Sequence, residues 1–503
     1  MRSRGLALVG AAVCLLILWV AHGRAQSSTV TCTATAANAT LAAVQNAINS
    51  AASGAIVCVP AGSATWAGTL NFPSTNKDIT VAGAGIGNTV IACGSVNCWA
   101  MTNASNQRLT GFEFNWSATS DRFLTVHGPV TNGKVFRIDH NKFNAPGTTW
   151  SIIDVSGDGP AAKHPTGVID NNTFVNFSIH FNGTNFSLAD GNTQHALWSQ
   201  PTTLGDFTDV VYVEDNSFTS TPTSGFQNFA DGNYAARWVW RFNTHSGHGT
   251  GLEIHSVQGP NRAVRRWEVY GNSYTKSGSS FYPVMFIRGG SGVAFDNTAS
   301  TDYGTTVLLD NVRSMGDPGG GVGACNGSSN WDQNSAGLKG YACRDQIGRG
   351  GDTTTWAPGQ PFAQTALPAY FFNNLRAGSQ FTTTLDNDCG SPSCLAAPGN
   401  NPIHLVANRD YYIQGASFTG TSGVGRGTLA TRPATCTTGV AYWATDSGEW
   451  NSRHAGPDGQ LFKCTATNTW TLYFTPYPYP HPLTVGGAPA PPAAPQNLRI
   501  IPN

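Results

Sequence analysis

A short phrase recurs along the middle of the chain: an aliphatic or aromatic pair, an acidic or polar residue, Asn, a small residue, then an aromatic. It reads as Ile138-Asp139-His140-Asn141-Lys142-Phe143, Val168-Ile169-Asp170-Asn171-Asn172-Thr173-Phe174, Val213-Glu214-Asp215-Asn216-Ser217-Phe218 and Val269-Tyr270-Gly271-Asn272-Ser273-Tyr274, with looser copies at Asn243 and Asn297. The Asn positions 141, 172, 216, 243, 272 and 297 lie 25 to 44 residues apart. That spacing suits one coil of a solenoid with loops of variable length, and does not suit a hairpin array. No coil buries its apolar face alone, so stacking makes the core and brings like positions together. Asn tolerates a left-handed bend, and stacked amides hydrogen-bond from coil to coil. The aromatic that follows would fill the interior. Turn propensity explains a single Asn-Ser or Asn-Thr pair but not the shared flanks. The expectation is an all-β chain: a single-stranded right-handed parallel β-helix.

The first residues, Met1-Arg2-Ser3-Arg4, an apolar run from Gly5 to Val20 and Gly23-Arg24-Ala25, have the layout of a cleaved secretory signal over 1–25. Nothing later is apolar for long enough to span a bilayer. Ten cysteines follow the signal, in an order that suggests sequential pairs: 32 with 58, 93 with 98, 325 with 343, 389 with 394 and 436 with 464. An extracellular, oxidising destination follows. None of the cysteines has zinc-site spacing with histidine, so no metal site is assigned. Twenty-eight basic residues balance 28 acidic ones, and only 11% of residues are charged, which leaves no field for nucleic acid.

Thr40 to Ile48 has apolar residues at helical spacing and precedes Ala55-Ile56-Val57-Cys58-Val59, as a capping helix and first strand would. Gly83-Ala84-Gly85 lacks the basic residue and helix of a phosphate loop and reads as a turn between coils. The opening residues, AVQNAINSA, IVCVPAG and ITVAGAGIGNTVI, resemble the start of secreted pectate-lyase-superfamily proteins. With the Asn phrases, the resemblance covers about residues 30 to 315. It implies the right-handed parallel β-helix, a fold that hosts lyases, hydrolases, esterases and non-catalytic proteins. The helix is assigned to 26–430, with irregular final coils and large loops from about 316. Ala369-Tyr370-Phe371-Phe372 and Ile403-His404-Leu405-Val406 read as late strands. A small disulfide-stapled, aromatic-rich β appendage is expected over 431–483, and 484–503 is a Pro/Ala-rich tail.

Ionisable residues concentrate between 231 and 288. Aligning Phe229-Ala230-Asp231, Glu253-Ile254-His255 and Phe286-Ile287-Arg288 by their apolar alternation points Asp231, His255 and Arg288 outward from consecutive coils, one strand spacing apart. Glu253 shares the strand face of His255. Arg237, Arg265, Arg266 and His248 belong to adjoining segments and are assigned to substrate binding. The bland alternative is a solvated ladder of ion pairs. Asp139 and His140 echo a phrase of pectate lyases, Trp-Ile-Asp-His, with Arg137 in place of Trp, yet they fill slots taken by Asp170 and Asn171 in the next phrase and read first as ladder variants.

Two reactions suit such a face. In β-elimination on a uronate polysaccharide, a base takes the C5 proton while Ca2+ or a cationic side chain neutralises the carboxylate. His255 as base and Arg288 or Arg266 at the carboxylate meet that need. Hydrolysis needs two carboxylates flanking the bond, which Asp231 and Glu253 supply, but the Asp-Asp and Arg-x-Lys phrases of polygalacturonases are absent. The elimination reading stands first and the hydrolase second. A non-catalytic glycan-binding or structural protein stands third, with Trp198, Trp238, Trp240 and Trp267 as candidate stacking residues. Under each enzyme reading the partner is a polysaccharide, most simply an acidic one; Ca2+ is a cofactor the elimination admits, and any other is left open.

Overall fold

The computed structural model describes residues 30–484 except 74–76, 95–96, 118–121, 128–129, 146–150, 158–163, 184–202, 222–227, 249–250, 256–262, 279–282, 311–345, 350–365, 387–404. Each coil of the chain gives one strand to each of three sheets in turn, of twelve, eleven and ten strands. Pairing is parallel within all three, apart from one antiparallel pair at the end of the eleven-stranded sheet. This is the right-handed parallel β-helix expected from the spacing. The register is continuous: Ile138, Ile169, Val213, Trp240, Val269 and Ala294 form one inward column of the twelve-stranded sheet. All six are fully buried.

The Asn phrase does two jobs, divided between neighbouring residues. The left-handed conformation falls on the residue before the ladder Asn: His140, Asn171, Asp215, Phe242, Gly271, Asp296 and Asn373, with φ between 51° and 68°. The ladder Asn itself is buried and links coils. Its backbone N–H and Nδ2 both donate to Oδ1 of the next Asn, at 3.0 and 3.1 Å from Asn141 to Asn172 and 2.9 and 3.0 Å from Asn172 to Asn216. The series runs on through Asn243, Asn272 and Asn297 to Asn374, and begins at the Phe112 N–H, which donates to Asn141. The expectation that the Asn supplies the bend is therefore corrected by one position. A side chain turned inward to satisfy the corner frees the preceding residue to take the bend. At Gly271 the bend also needs glycine, because a Cβ there would come within 2.6 Å of the Phe242 ring.

Two positions after each ladder Asn from Asn141 to Asn272 an aromatic points inward, continuing a stack that starts at Phe114, whereas Ala299 and Arg376 follow Asn297 and Asn374. Phe114, Phe143, Phe174, Phe218, His245 and Tyr274 stack at centroid spacings between 4.3 and 5.3 Å. A histidine is accepted there because its Nε2 accepts from Trp240 Nε1 at 2.9 Å and its Nδ1 lies 3.1 Å from Ser273 O. Burial drives its pKa down to about 3, so it stays neutral.

The helix Leu41–Ser50 caps the first coil, with Thr40 Oγ1 accepting from Ala43 N and Val44 and Ile48 buried. Disulfides join Cys32 to Cys58, Cys93 to Cys98 and Cys436 to Cys464, as the sequential pairing expects. Cys325, Cys343, Cys389 and Cys394 lie outside the described residues, as do 1–25 and Trp198. Among the late elements, Ala369–Phe372 is a strand; of the strand expected over 403–406, Ile403 and His404 lie outside the described residues, and Leu405 and Val406 are not in a strand. Val406 N instead donates to the buried Asp410 carboxylate in a turn, and the sheet ends at Tyr411–Ile413.

A four-stranded sheet, Val424–Gly427, Ala441–Ala444, Gln460–Ala466 and Thr469–Phe474, forms the appendage and begins a few residues before 431. It packs on the outer face of the twelve-stranded sheet, where Val239, Tyr270, Phe295 and Phe372 meet Trp443, Trp450 and Phe474 in a second core. Residues 477–481 strap that face down. Arg241 donates to Tyr477 O and Pro478 O and pairs with Glu214, whose Oε1 accepts from His481 N. Neither side chain of the Arg241–Glu214 pair has any solvent exposure.

Candidate functional site

The ten-stranded sheet presents a different outer face. Alternation turns Leu252, Ile254, Met285 and Ile287 inward, so the residues between and after them face out. In one outward column Asp154, His180, Asp231, Glu253 and Phe286 stand on consecutive strands. The residues that follow the paired inward column Val126, Val155, Phe181, Gly232 and Ile254 form the next column: His127, Ser156, Asn182, Asn233 and His255, with Arg288 beyond Ile287. Backbone bonds from His255 N to Gly232 O (2.9 Å) and from Arg288 N to Ile254 O (2.8 Å) carry the register past the strand ends.

Asp231 is thus aligned with Glu253, two residues away from the partner expected from apolar alternation, which was His255. A slip of two leaves every side chain on its face, so the four residues still meet, diagonally. His255 Nε2 lies 3.0 Å from Asp231 Oδ1 and 3.2 Å from Glu253 Oε1. Arg288 Nη2 lies 2.7 Å from His255 Nδ1 and contacts Glu253 Oε1. Asn233 Nδ2 donates to Asp231 Oδ1 at 3.1 Å and Asn228 Nδ2 to Glu253 Oε2 at 2.7 Å. Ser178 in turn donates to Asn228 Oδ1. All four side chains are mostly buried, and His255 retains 12% exposure. Burial raises the Asp231 carboxyl, but the charge and hydrogen bond of His255, with His180 and Arg288 behind, outweigh it and hold Asp231 below the ordinary carboxylate range.

In the tautomer with its proton on Nε2 the ring shares that proton between the two carboxylates and Nδ1 accepts from Arg288, whose Nη2 lies 2.7 Å from Nδ1 and 2.9 Å from Nε2. An acid orients the ring, a cation covers the other nitrogen, and displacing that cation exposes a base. Asp231, Glu253 and His255 also bring their ligating atoms within 4.8 Å of one another. Ca2+ takes six to eight oxygen ligands. Here one of three donors is an imidazole nitrogen and Glu253 is engaged by Arg288, so the set does not fit Ca2+.

No family model matches the chain, and no curated protein matches it. Among solved structures it is similar to the A-module of the mannuronan C-5 epimerase of Azotobacter vinelandii, with 11% identity over 69% of this chain and 92% of that one and a TM-score of 0.23. At that TM-score the likeness says nothing about the site, which stands on its own geometry.

The remaining expected residues lie elsewhere. Arg237 and Arg266 belong to the twelve-stranded sheet, on strands Arg237–Arg241 and Arg266–Tyr270. Arg266 is buried and held by Asp206 and Glu268. Burial lowers Arg237 to about 10. Their grouping with His255 is corrected: nearness in sequence crossed a corner of the coil, and the corner turned them to another face. Arg265 is buried where the chain returns from 256–262, lining a cavity of about 220 Å³ with Arg266, Leu204 and Tyr473. His248 sits half-buried in the turn after Thr244–Gly247, its N–H on Ser220 O. Trp238, Trp240 and Trp267 are fully buried and offer no stacking face. Asp139 is buried under Arg108 and beside His140, and Asp170 pairs with Arg137, a ladder at the corner of the twelve-stranded sheet. Sequence reasoning missed Asn228, Asn233, His180, His127 and Asp154. Asp154 sits in the alternating run Ser151–Ser156, which carries the signal, but its facing partner comes from a strand 27 residues earlier.

Proposed function

We propose that this protein is a secreted polysaccharide lyase that cleaves a uronate-containing chain by β-elimination on the outer face of the ten-stranded sheet, with His255 as base. The observation that carries the reading is the His255 ring, pinned through Nε2 by Asp231 and Glu253 with its Nδ1 under Arg288. A substrate carboxylate that pairs with Arg288 draws the guanidinium away from Nδ1. The freed Nδ1 takes the C5 proton, and the electron pair left at C5 delocalises onto the carboxylate beside Arg288. Collapse forms the C4–C5 double bond and expels O4, which takes a proton from water, and His255 then gives up the C5 proton to solvent. Asp231 holds Nε2–H throughout and stabilises the imidazolium.

The arginine supplies the cation this chemistry needs, so no step runs through Ca2+. Hydrolysis by Asp231 and Glu253 has less support. The two stand side by side on adjacent strands, sharing one imidazole, where a hydrolase needs carboxylates on either side of the scissile bond. Membership of the pectate-lyase superfamily and secretion remain part of this proposal, supported by the β-helix, the disulfides and the resemblance of the opening residues.

The test is ultraviolet absorbance during incubation of the protein with pectate, alginate and glycosaminoglycans, with calcium and with chelator. Rising absorbance that survives chelation and is lost in His255→Ala supports the reading. New reducing ends without absorbance would move it to hydrolysis, and binding without either would make the protein a glycan receptor.

A further inference from the structure

The arrangement at Asp231 occurs twice on this face. Asp154 is buried, His127 Nε2 lies 3.1 Å from its Oδ2, and Asn182 Nδ2 donates to its Oδ1 at 2.7 Å, as Asn233 does to Asp231. An arginine stands beside it too: Arg122 Nε is 3.0 Å from Asp154 Oδ2. His127 and His255 occupy the same outward column, four strand spacings apart, about 19 Å.

The two nodes differ in exposure. Arg288 and His255 are 14% and 12% exposed, whereas Arg122 and His127 are 53% and 36% exposed. Burial raises Asp154, and His127, Asn182 and Arg122 together hold it below the ordinary range. An exposed arginine adds little stability to a carboxylate that His127 and Asn182 already satisfy. Its two Nη groups have no partner among the described residues. Such a fork on a buried, oriented anchor is suited to gripping an anion from solvent.

We propose that Arg122 and His127, anchored by Asp154, form a second anion-binding site that takes a carboxylate of the same polysaccharide about 19 Å from His255. This rests on the reading that the face binds an acidic chain. It makes the protein selective for length: a disaccharide reaches one node only, and a chain long enough to span both gains the second. The node holds substrate and takes no part in bond breaking.

The experiment compares the full chain with Arg122→Ala, Arg122→Gln and His127→Ala on polygalacturonate, on alginate and on short oligomers of each, by absorbance and by retardation in gels containing the polymer. The expected result is a KM for polymer raised about tenfold in each variant at unchanged kcat, with short oligomers unaffected and thermal melting preserved. Arg122→Gln keeps the stem and removes the charge, so it separates charge loss from misfolding. Equal KM for polymer in all forms, or an equal loss on short and long substrates, would overturn the proposal. If the parent retards in the gel without eliminating, loss of retardation in the variants upholds the second site while the lyase reading fails. A parent that neither retards nor turns over sinks both.

Discussion

Two faces of one helix use the same residue types to opposite ends. On the twelve-stranded sheet, Glu214 and Arg241 stand on neighbouring strands, and the appendage seals them under Tyr477 and Pro478. On the ten-stranded sheet, Glu253 and Arg288 meet in a similar way, but a histidine stands between them and solvent reaches the group. A covered charge pair with all its hydrogen bonds made inside the chain is fastening. An uncovered one, whose arginine has another use for its bonds, is a tool. The lesson is that the outer-face column does not set the role of a charge; what lies over it does.

Matched substitutions break the comparison most sharply. Arg241→Ala leaves Glu214 buried without its counter-charge and should cost about 3–5 kcal/mol, seen as a lowered Tm and as protease cleavage near 477–481. Arg288→Ala leaves Glu253 its bonds to Asn228 and His255, so it should lower Tm less than Arg241→Ala does and lower turnover about 10²- to 10³-fold, as loss of a group at the developing charge does. If both variants lose stability equally, the distinction between the faces fails.

Asn216→Ala tests what both faces share. It strips the acceptor from the buried N–H of Asn172 and removes the Asn216 amide from the carbonyl oxygens of Ile169 and Glu214, the second of which still accepts from Asn171 N. Each orphaned buried group costs about 1–3 kcal/mol, so denaturant unfolding should shift strongly with no selective effect on either face.

Acid sharpens the comparison more gently. His245 and His164 are neutral in the fold, their pKa lowered from 6.5 to about 3 by burial, with Arg237 adding to the effect at His164. Below pH 6.5 the unfolded chain takes up protons that these folded sites refuse. Stability then falls by roughly 1.4 kcal/mol per pH unit per site until pH approaches 3. Depressed carboxylates such as Asp154 and Asp231 add their own loss once pH falls into and below the ordinary carboxylate range. His245→Phe keeps the aromatic stack and removes one titrating site, at the expense of the Trp240 hydrogen bond. The variant should be less stable than the parent near neutrality and more stable below about pH 5, as urea midpoints across that range will show. Parallel curves would mean that His245 is not buried neutral.

Much of this architecture was legible in the residues. The Asn phrase reports the coil because every copy meets the same neighbours, and the aromatic two positions later reports the interior for the same reason. Asp231, Glu253, His255 and Arg288 were found because they crowd into a charge-poor chain. Their register was misjudged by two at Asp231, since apolar alternation has a period of two and cannot distinguish such shifts. Arg237 and Arg266 were misplaced because a coil turns corners at short range, so residues close in sequence face away from each other. The Asp154 node was invisible because its parts come from three coils, at 122–127, 154 and 182, and no single window of sequence holds them.

The amides from Asn141 to Asn374 all pass their hydrogen bonds the same way along the axis, each link a copy of the last. Excising the chain from one ladder Asn to the next joins like to like and leaves every acceptor filled. An excision that is not a whole period strands a buried amide. The smallest editable unit of this molecule is therefore a full period of its amide relay, whatever number of residues its loops contain, and lengthening or shortening by whole periods changes how far apart two points on the ten-stranded face stand without disturbing either.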